Sequence, residues 1–343
     1  MKRTVKAGNT VIGGGRVTVQ SMTNTDTADY EATLAQIGRL ENAGCDIVRV
    51  AVSDAVEAET FGRLVKAVKV PLVADIQFDY RLAVMASDLG AAKVRFNPGN
   101  IGDRGRIAEL VAACKANGTP IRIGVNAGSL EKDLLDKYGA TAQALCESAL
   151  RHVRLLEEFG FYDIVVSAKA SSVKTTIDAY RRLAALCDYP LHLGVTEAGA
   201  YESGLVKSAI GIGALLADGI GDTIRVSLSG DPVAEVLAGR EILRALGLEK
   251  HCEIVSCPTC SRCKYDLMSV VDEVRELTVN VSKPLKIAVM GCVVNGPGEA
   301  RDADFGVAGG KDKAVIFVKG KPVKTVAFGE VKNELKKLIE AHK

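Results

Sequence analysis

The sequence predicts an α/β protein: an N-terminal (β/α)8 TIM barrel over residues 1–247, followed by a C-terminal α+β domain over residues 248–343. Eight short runs rich in β-branched residues alternate with helical patterns, and together they span close to the ~250 residues typical of this barrel. No G-x-G-x-x-G motif opens a helix after the first run, which disfavours a doubly wound nucleotide-binding sheet. The texture changes after residue 247, where closely spaced cysteines mark the second domain.

The predicted barrel elements follow one another without a long break. Segments that are apolar at helical spacing and end in glycine, such as 30–44 and 141–160, separate the strands. The predicted strands are 17–22, 46–52, 71–78, 92–97, 120–126, 163–169, 191–197 and 222–228.

Composition excludes several classes of function. With 48% hydrophobic and 25% charged residues the chain can bury a large core, and a net charge of +2 favours neither nucleic acid nor a membrane surface as partner. We find no apolar run of signal-peptide or transmembrane type, so we expect a cytoplasmic protein. Nine cysteines, an odd number, argue against a disulfide framework in that compartment.

Polar residues stand at the carboxyl ends of the predicted strands, where TIM barrels place their active sites. Because side chains alternate along a strand, these residues point into the barrel and their apolar neighbours point towards the helices. Four arginines and Lys169 at one mouth would repel one another without an anion, most simply a diphosphate. Any one arginine could instead form a salt bridge within the barrel. The residues at these ends are Asn24, Arg49, Asp75, Gln77, Arg95, Asn97, Arg122, Asn126, Lys169, Glu197, Arg225 and Ser227, with Lys207 early in the following helix.

Acidic and imidazole side chains of the barrel have more than one interpretation. Asp75 and Glu197 could pair with arginines or act as acid/base groups. His192 begins a strand, away from the mouth, and we expect a core histidine whose hydrogen bonds are satisfied.

The pattern of cysteines after the barrel is that of a metal site. Cys257, Cys260 and Cys263 lie at two-residue intervals, and Cys292 and Glu299 follow in a Gly/Pro-rich loop. Three thiolates from two segments with a carboxylate suit a 4Fe-4S cluster that has one oxygen-ligated iron. A zinc site and cysteines without metal stay open, as do a pterin- or aldolase-type barrel carrying a zinc module and a zinc-ribbon nucleic-acid binder.

A set of longer motifs runs in order through nearly the whole chain: VQSMTNT, PLVADIQFDYRLA, RFNPGNIG, PIRIGVNAGSLEKDLLDKYG, LHLGVTEAG, DTIRVSLSGDP, CPTCSR and GCVVNGPGEA. In this order they closely resemble the 4-hydroxy-3-methylbut-2-enyl diphosphate synthase family of the methylerythritol phosphate route to isoprenoids. The resemblance implies an oxidoreductase that opens and dehydrates the ring of 2-C-methyl-D-erythritol 2,4-cyclodiphosphate, yielding (E)-4-hydroxy-3-methylbut-2-enyl diphosphate. Two electrons would come from reduced flavodoxin or ferredoxin through a 4Fe-4S cluster.

The same resemblance implies a set of site residues. The cluster ligands would be Cys257, Cys260, Cys292 and Glu299, and Glu197 and Glu299 would be the catalytic residues, Glu197 as candidate proton donor. The diphosphate-binding cations would be Arg49, Arg95, Arg122, Lys169, Lys207 and Arg225. With the strand-end residues Asp75, Asn126 and Ser227 they make up the predicted substrate-binding set.

The chain departs from the family pattern at two positions. Gln77 stands where a histidine is usual, and glutamine can form hydrogen bonds but cannot titrate. Cys263 stands where the family usually has no cysteine, which leaves a third nearby thiol able to compete as a ligand.

The connection between the two domains predicts a homodimer. The last barrel helix, about 232–246, would run ~22 Å back from the mouth, and the link 247–252 reaches only ~20 Å when fully extended. The cluster domain would therefore lie below its own barrel and above the mouth of a partner. Two-fold symmetry then gives a head-to-tail dimer with two composite sites, an arrangement that the family resemblance also implies.

Overall fold

A computed structural model describes residues 3–97, 103–263, 265–279, 281, 283–292, 298 and 300–342. The chain divides into two compact units, Met1–Leu248 and Glu249–Lys343. Within the described ranges no helix is long and apolar enough to cross a membrane.

A β-hairpin opens the first unit, formed by β1 (Val5–Ala7) and β2 (Thr10–Ile12). Its buried side chains pack on Ile47, Val73 and Val165, which lie at the starts of three barrel strands. The hairpin therefore closes the end of the barrel opposite the mouth. The sequence analysis did not predict this element.

Eight parallel strands form the barrel, as predicted. They pair in the spatial order β8-β7-β6-β5-β4-β3-β10-β9, and a parallel bridge between Val166 and Leu191 joins the two outer strands. Side chains that point outward from the strands belong to one large apolar cluster with the surrounding helices. The strands are β3 (Thr18–Met22), β4 (Ile47–Ala51), β5 (Leu72–Asp75), β6 (Lys93–Phe96), β7 (Ile121–Asn126), β8 (Ile164–Lys169), β9 (His192–Leu193) and β10 (Thr223–Ile224).

Aspartate, serine and threonine residues cap most of the helices that cover the barrel. Asp54, for example, accepts a hydrogen bond from the Glu57 N–H at the start of its helix, which satisfies one of the free N–H groups there. The helices are α1 (Tyr30–Asn42), α2 (Ala55–Ala67), α3 (Tyr80–Asp88), α4 (Arg104–Asn117), α5 (Lys132–Tyr138), α6 (Ala142–Glu158), α7 (Val173–Leu186), α8 (Tyr201–Ala217) and α9 (Pro232–Ala245).

Strands β9 and β10 are shorter than the predicted 191–197 and 222–228. Their backbones still hydrogen-bond beyond the strand bounds: the Arg225 N–H donates to the Leu193 carbonyl at 3.0 Å. A Cβ on Gly194 would lie 2.5 Å from the Arg225 carbonyl oxygen, so the two chains approach more closely than a larger residue permits.

The described residues of the second unit form a five-stranded mixed sheet and the helices that pack on it. Neighbouring strands follow chain order, β11 to β13 in parallel and β13 to β15 antiparallel. The helices and one face of the sheet share an apolar cluster. The elements are β11 (Glu253–Ser256), α10 (Leu267–Thr278), β12 (Lys286–Met290), β13 (Phe305–Gly309), β14 (Ala314–Val318), β15 (Lys321–Val326) and α11 (Val331–Ala341).

Candidate functional site

The interior of the barrel carries charge where many barrels carry apolar layers. The register of the strands arranges these side chains in two successive layers. In the lower layer Arg49 pairs with Val73 and Val73 with Lys93. In the layer nearer the carboxyl ends Asp75 pairs with Arg95 and Arg95 with Arg122. Apart from Arg49 and Arg225, these cations are almost fully buried. The cationic members among the described residues are Arg49, Lys93, Arg95, Arg122, Lys169 and Arg225.

Asp75 is the carboxylate that two of these arginines share. Its Oδ1 accepts a hydrogen bond from Arg95 Nη1 at 3.0 Å, and its Oδ2 lies 3.7 Å from Arg49 Nε. Burial alone would raise the pKa of Asp75, but Arg49, Arg95 and Arg122 outweigh it and hold the pKa below its usual range. Asp75 is therefore an anion that fixes the arginines, which leaves it poorly suited to donate a proton.

Arg225 has a separate carboxylate partner. Its Nη2 lies 3.3 Å from Glu235 Oε1, and Glu235, on α9, also accepts hydrogen bonds from Ser21 Oγ at 2.9 Å and the Leu228 N–H at 3.1 Å. Glu235 thus holds the Arg225 guanidinium and the loop after β10 in one arrangement. Glu235 was not predicted as a site residue, because a glutamate in the first turn of a helix is ordinary favourable charge placement.

Two glycines make room for the cations. A Cβ on Gly124 would lie 2.6 Å from Arg95 Nε, and a Cβ on Gly194 would lie 2.7 Å from Lys169 Nζ. Both glycines sit where the inward-facing alternation calls for a side chain. The missing side chains at these two positions leave space for the long cationic side chains of Arg95 and Lys169.

The buried cations are short of counter-charge. Burial and the neighbouring Arg122, Arg225, Arg49 and Arg95 hold the pKa of Lys169 well below its ordinary value. The Nε and Nη1 atoms of Arg122 lack hydrogen-bond partners in the described part of the chain. Arg122 nevertheless stays charged, because the ordinary pKa of a guanidinium lies far above neutral pH. Such an interior is set up for an anionic ligand.

Lys93 and His192 also belong to this interior, which corrects the expectation for His192. Both nitrogens of the His192 ring are buried and lack partners among the described residues, so this histidine is not a satisfied core residue. Burial and the cations Lys169, Arg122 and Lys93 hold its pKa well below the ordinary value, so the ring is neutral. Lys93 was missed because it begins its strand; its position two residues before Arg95, on the same face, was the available signal.

Most of the remaining predicted residues of the barrel lie nearer to solvent, although Asn97 is buried. Asn126 and Ser227 are half-buried, whereas Gln77 is exposed on the loop after β5. Lys207 is exposed on the second turn of α8. Glu197 is exposed and has a φ of +52°, a left-handed conformation that is uncommon for glutamate. A strained residue at the carboxyl end of a barrel strand is a candidate for a functional role.

Within the second unit, the cysteines gather around Gly291. The Gly291 N–H donates to Cys257 Sγ at 3.0 Å, and a Cβ on Gly291 would lie 3.1 Å from Cys263 Sγ and 3.3 Å from Cys257 Sγ. Cys292 is the next residue and is half-buried, whereas Cys260 is exposed. Hydrogen bonds and charge from Arg262, with burial opposing, lower the pKa of Cys260 and favour its thiolate. Glu299 lies outside the described residues.

The donor set around Gly291 fits an iron-sulfur cluster. Burial and the neighbouring Cys263, Cys257 and Cys292 raise the pKa of Tyr265. Its hydroxyl donates a hydrogen bond to the Met290 carbonyl at 2.8 Å. An N–H···S hydrogen bond like that of Gly291 is one of the contacts that tune such clusters. The described residues form no group of three ligands around a single ion, and thiolates of a cluster bind different irons rather than one.

Fold and site together define a class: a TIM-barrel protein with a cation-lined interior, joined to a cysteine-bearing α+β unit. The two parts match two family models, the GcpE TIM-barrel domain over residues 2–240 and the GcpE protein C-terminal domain over residues 253–341. The chain therefore belongs to the GcpE family. This confirms the family expected from the sequence, its fold class and its enzyme class, an oxidoreductase.

Two relatives show how fully the chain matches the family. A 4-hydroxy-3-methylbut-2-en-1-yl diphosphate synthase (flavodoxin) of Caldanaerobacter subterraneus subsp. tengcongensis is 59% identical over 343 residues, covering 99% of this chain and 97% of the relative. The enzyme of the same name from Clostridium perfringens is 56% identical over 341 residues, covering 98% of each chain.

Two of the solved structures that resemble the chain align with about 71% of it. Dihydropteroate synthase from Stenotrophomonas maltophilia aligns with a TM-score of 0.53 at 15% identity, over 71% of this chain and 98% of that one. The Yersinia pestis enzyme aligns with a TM-score of 0.51 at 13% identity, over 71% and 98%. At such low identities the likeness shows a shared fold and says nothing about the substrate.

Proposed function

We propose that this chain catalyses the reductive ring opening and dehydration of 2-C-methyl-D-erythritol 2,4-cyclodiphosphate to (E)-4-hydroxy-3-methylbut-2-enyl diphosphate. The observation that carries the proposal is the excess of buried cations over carboxylates among the described residues of the barrel interior, where Arg49 and Arg95 share Asp75. The names of the relatives point to the same product and to flavodoxin as electron donor. Ferredoxin is the alternative donor.

The arginines of the barrel would bind the diphosphate of the substrate. Guanidinium groups hold phosphate oxygens bidentately, and Asp75 keeps two of them oriented before the ligand arrives. The other proposed contacts to the substrate are those of Lys169, Lys207, Arg225, Asn126 and Ser227. Because the diphosphate stays attached to the product, these contacts hold the same group from substrate to product.

The reaction breaks a bond between carbon and a phosphate oxygen, releases a hydroxyl group as water, and takes up two electrons and two protons. Glu197 is the proposed proton donor, placed by its left-handed backbone on the loop that follows β9. A group that delivers protons to a departing hydroxyl must reach it directly or through one water. Gln77 can orient a hydroxyl by hydrogen bonding but cannot supply a proton.

Cys257, Cys260, Cys292 and Glu299 are the residues that would hold the cluster. When bound, a 4Fe-4S cluster supplies electrons one at a time, and an oxygen-ligated iron leaves a position where substrate can bind. The Gly291 N–H and the Tyr265 ring line this site from the protein side.

Metal analysis and product analysis under anaerobic conditions test the proposal together. Protein purified without oxygen should contain iron and acid-labile sulfide in near-equal amounts. With reduced flavodoxin it should convert the cyclodiphosphate to the linear diphosphate, identified by mass spectrometry. Stoichiometric zinc without labile sulfide would falsify the cluster assignment and would favour a barrel enzyme with a structural zinc module.

We also propose that the protein works as a head-to-tail homodimer in which one subunit supplies the barrel and its partner the cluster. The support is the short link between the end of α9 at Ala245 and the start of β11 at Glu253. The test is complementation: an inactive Arg122→Met variant is mixed with an inactive Cys257→Ser variant and subunits are allowed to exchange. Mixed dimers should regain part of the wild-type activity. Proven exchange without any recovered activity places both halves of the site on one subunit.

A further inference from the structure

Lys93 is a buried cation inside the barrel that the expected set of substrate-binding residues leaves out. It is the first residue of β6, faces inward with Arg95, and is completely buried. Its Nζ lacks a hydrogen-bond partner in the described part of the chain. A buried amine without a partner costs stability, so its presence calls for an explanation.

The groups that face Lys93 are mostly cationic. Register places it one strand beyond Val73, which pairs with Arg49, and both Arg49 and Arg122 act on Lys93 as like charges. Asp75, the carboxylate one step higher, is bound to Arg95 and lies beside Arg49. The neutral His192 ring faces the same interior.

Strands on other parts of the barrel carry buried polar groups without charge. The side chains of Thr18, Gln20 and Thr223 are buried and also have polar atoms without partners among the residues described here. These groups can solvate an anion or water that enters the barrel, but they cannot neutralise a cation. The described residues provide no partner for the Lys93 amine, so a bound ligand would supply the charge that balances its protonated form.

We propose that Lys93 forms the floor of the diphosphate site, where its amino group binds a phosphate oxygen that reaches into the barrel between Arg49 and Arg122. This inference rests on the proposed function and extends its binding site by one residue. Burial and the two arginines hold the pKa of Lys93 well below its ordinary value in the free protein, so the bound anion should draw a proton onto the amine.

The experiment compares two lysine-to-methionine variants of the full chain by isothermal titration calorimetry, with inorganic pyrophosphate as the probe. Lys93→Met should weaken pyrophosphate binding roughly ten- to hundredfold, the scale of one charged hydrogen bond. Lys66→Met, on the exposed face of α2, should bind as wild type does. Titration in two buffers of different ionisation enthalpy should show that wild type takes up more protons on binding than Lys93→Met does.

Thermal unfolding of the ligand-free proteins separates binding from a structural role. Because methionine replaces a buried amine by an apolar group of similar size, Lys93→Met should melt no lower than wild type. Unchanged pyrophosphate affinity in Lys93→Met overturns the inference while leaving the diphosphate site standing. A lower melting temperature that accompanies weaker binding, in Lys93→Met and Lys93→Gln alike, also overturns it. Failure of wild type to bind pyrophosphate at all would remove the proposed diphosphate site itself.

Discussion

Replacing Gly124 by alanine should disturb the arginine cluster without adding or removing a charge. The new Cβ would lie 2.6 Å from Arg95 Nε and 3.0 Å from Arg95 Nη2, closer than atoms pack. Gly124 lies inside β7 and its φ is not positive, so alanine fits the backbone and the strain falls on the side chain of Arg95. The guanidinium must move, and its 3.0 Å hydrogen bond to Asp75 is the contact at risk.

The structure sets the size of this effect. A hydrogen bond to a charged group contributes about 1.5–3 kcal/mol, and alanine returns about 0.4–1 kcal/mol by restricting the unfolded chain. The net loss of stability should be about 1–2 kcal/mol, a fall in melting temperature of a few degrees for a unit of this size. Losing about 2 kcal/mol of contact between Arg95 and the diphosphate should weaken ligand binding about 30-fold.

Titration calorimetry with the cyclodiphosphate or with pyrophosphate measures this change. The matched control is Gly128→Ala, four residues away in a short 3-10 turn, where a Cβ would meet no atom within 4 Å. The control should bind and melt as wild type does. If Gly124→Ala also keeps wild-type affinity, Arg95 either has room to spare or does not contact the diphosphate, and the argument from packing fails.

Three further predictions follow from other parts of the molecule. Arg225→Met should weaken binding of the cyclodiphosphate by roughly 2–4 kcal/mol while the cluster absorbance stays intact, because the arginine and the cysteines belong to different units; a lost cluster spectrum would contradict this. Cys263→Ser should retain iron and sulfide whereas Cys260→Ser should lose them, and the reverse result would exchange the two as ligands. Burial would raise the pKa of Glu131, but the neighbouring Ser148 and His152, whose Nε2 lies 3.0 Å from Glu131 Oε1, lower it to about 2. The contribution of Glu131 to stability is therefore present above pH 4.5 and lost as pH falls from 4.5 towards 2. Unfolding measured between these pH values should show a weaker pH dependence in Glu131→Gln, and an unchanged slope would rule this pair out.

The alternation of side chains along each strand allowed the inward-facing and outward-facing residues to be predicted from the sequence. Alternation along the strands placed Arg95 and Arg122 inside the barrel and Val94 and Ile121 in the outer apolar cluster, as the structure has them. Alternation does not show, however, where each residue of a tilted strand lies along the barrel axis. Lys93, at the start of its strand, pairs in register with a neighbour of Arg49, so the beginning of β6 lies beside the site as well.

Strand β13 was missed because two of its five residues are glycines, which usually mark a break. Here each glycine is required by its neighbours. A Cβ on Gly306 would lie 2.3 Å from the Ala288 carbonyl oxygen, and one on Gly309 would lie 2.1 Å from the Tyr265 ring. The ring that Gly309 accommodates is the one beside the cysteines, so the cause of the missed strand is a contact of the candidate cluster site. A single sequence does not contain that pairing.

The cation-lined interior also links ligand binding to the stability of the barrel. The apolar cluster outside the strands is continuous, and a smaller apolar cluster under the N-terminal hairpin fills one end of the barrel, so apolar packing does not depend on the cation-lined part of the interior. Burying Lys93, Arg122 and Lys169 together nevertheless opposes folding in the absence of an anion, because burial and like charges disfavour their charged forms. A ligand that binds only the folded barrel adds stability by mass action, about 2.7 kcal/mol at a hundred times its Kd. Residues that are costly in the free protein are therefore those that gain most from the diphosphate, which is why we place Lys93 with the binding residues and not with the core.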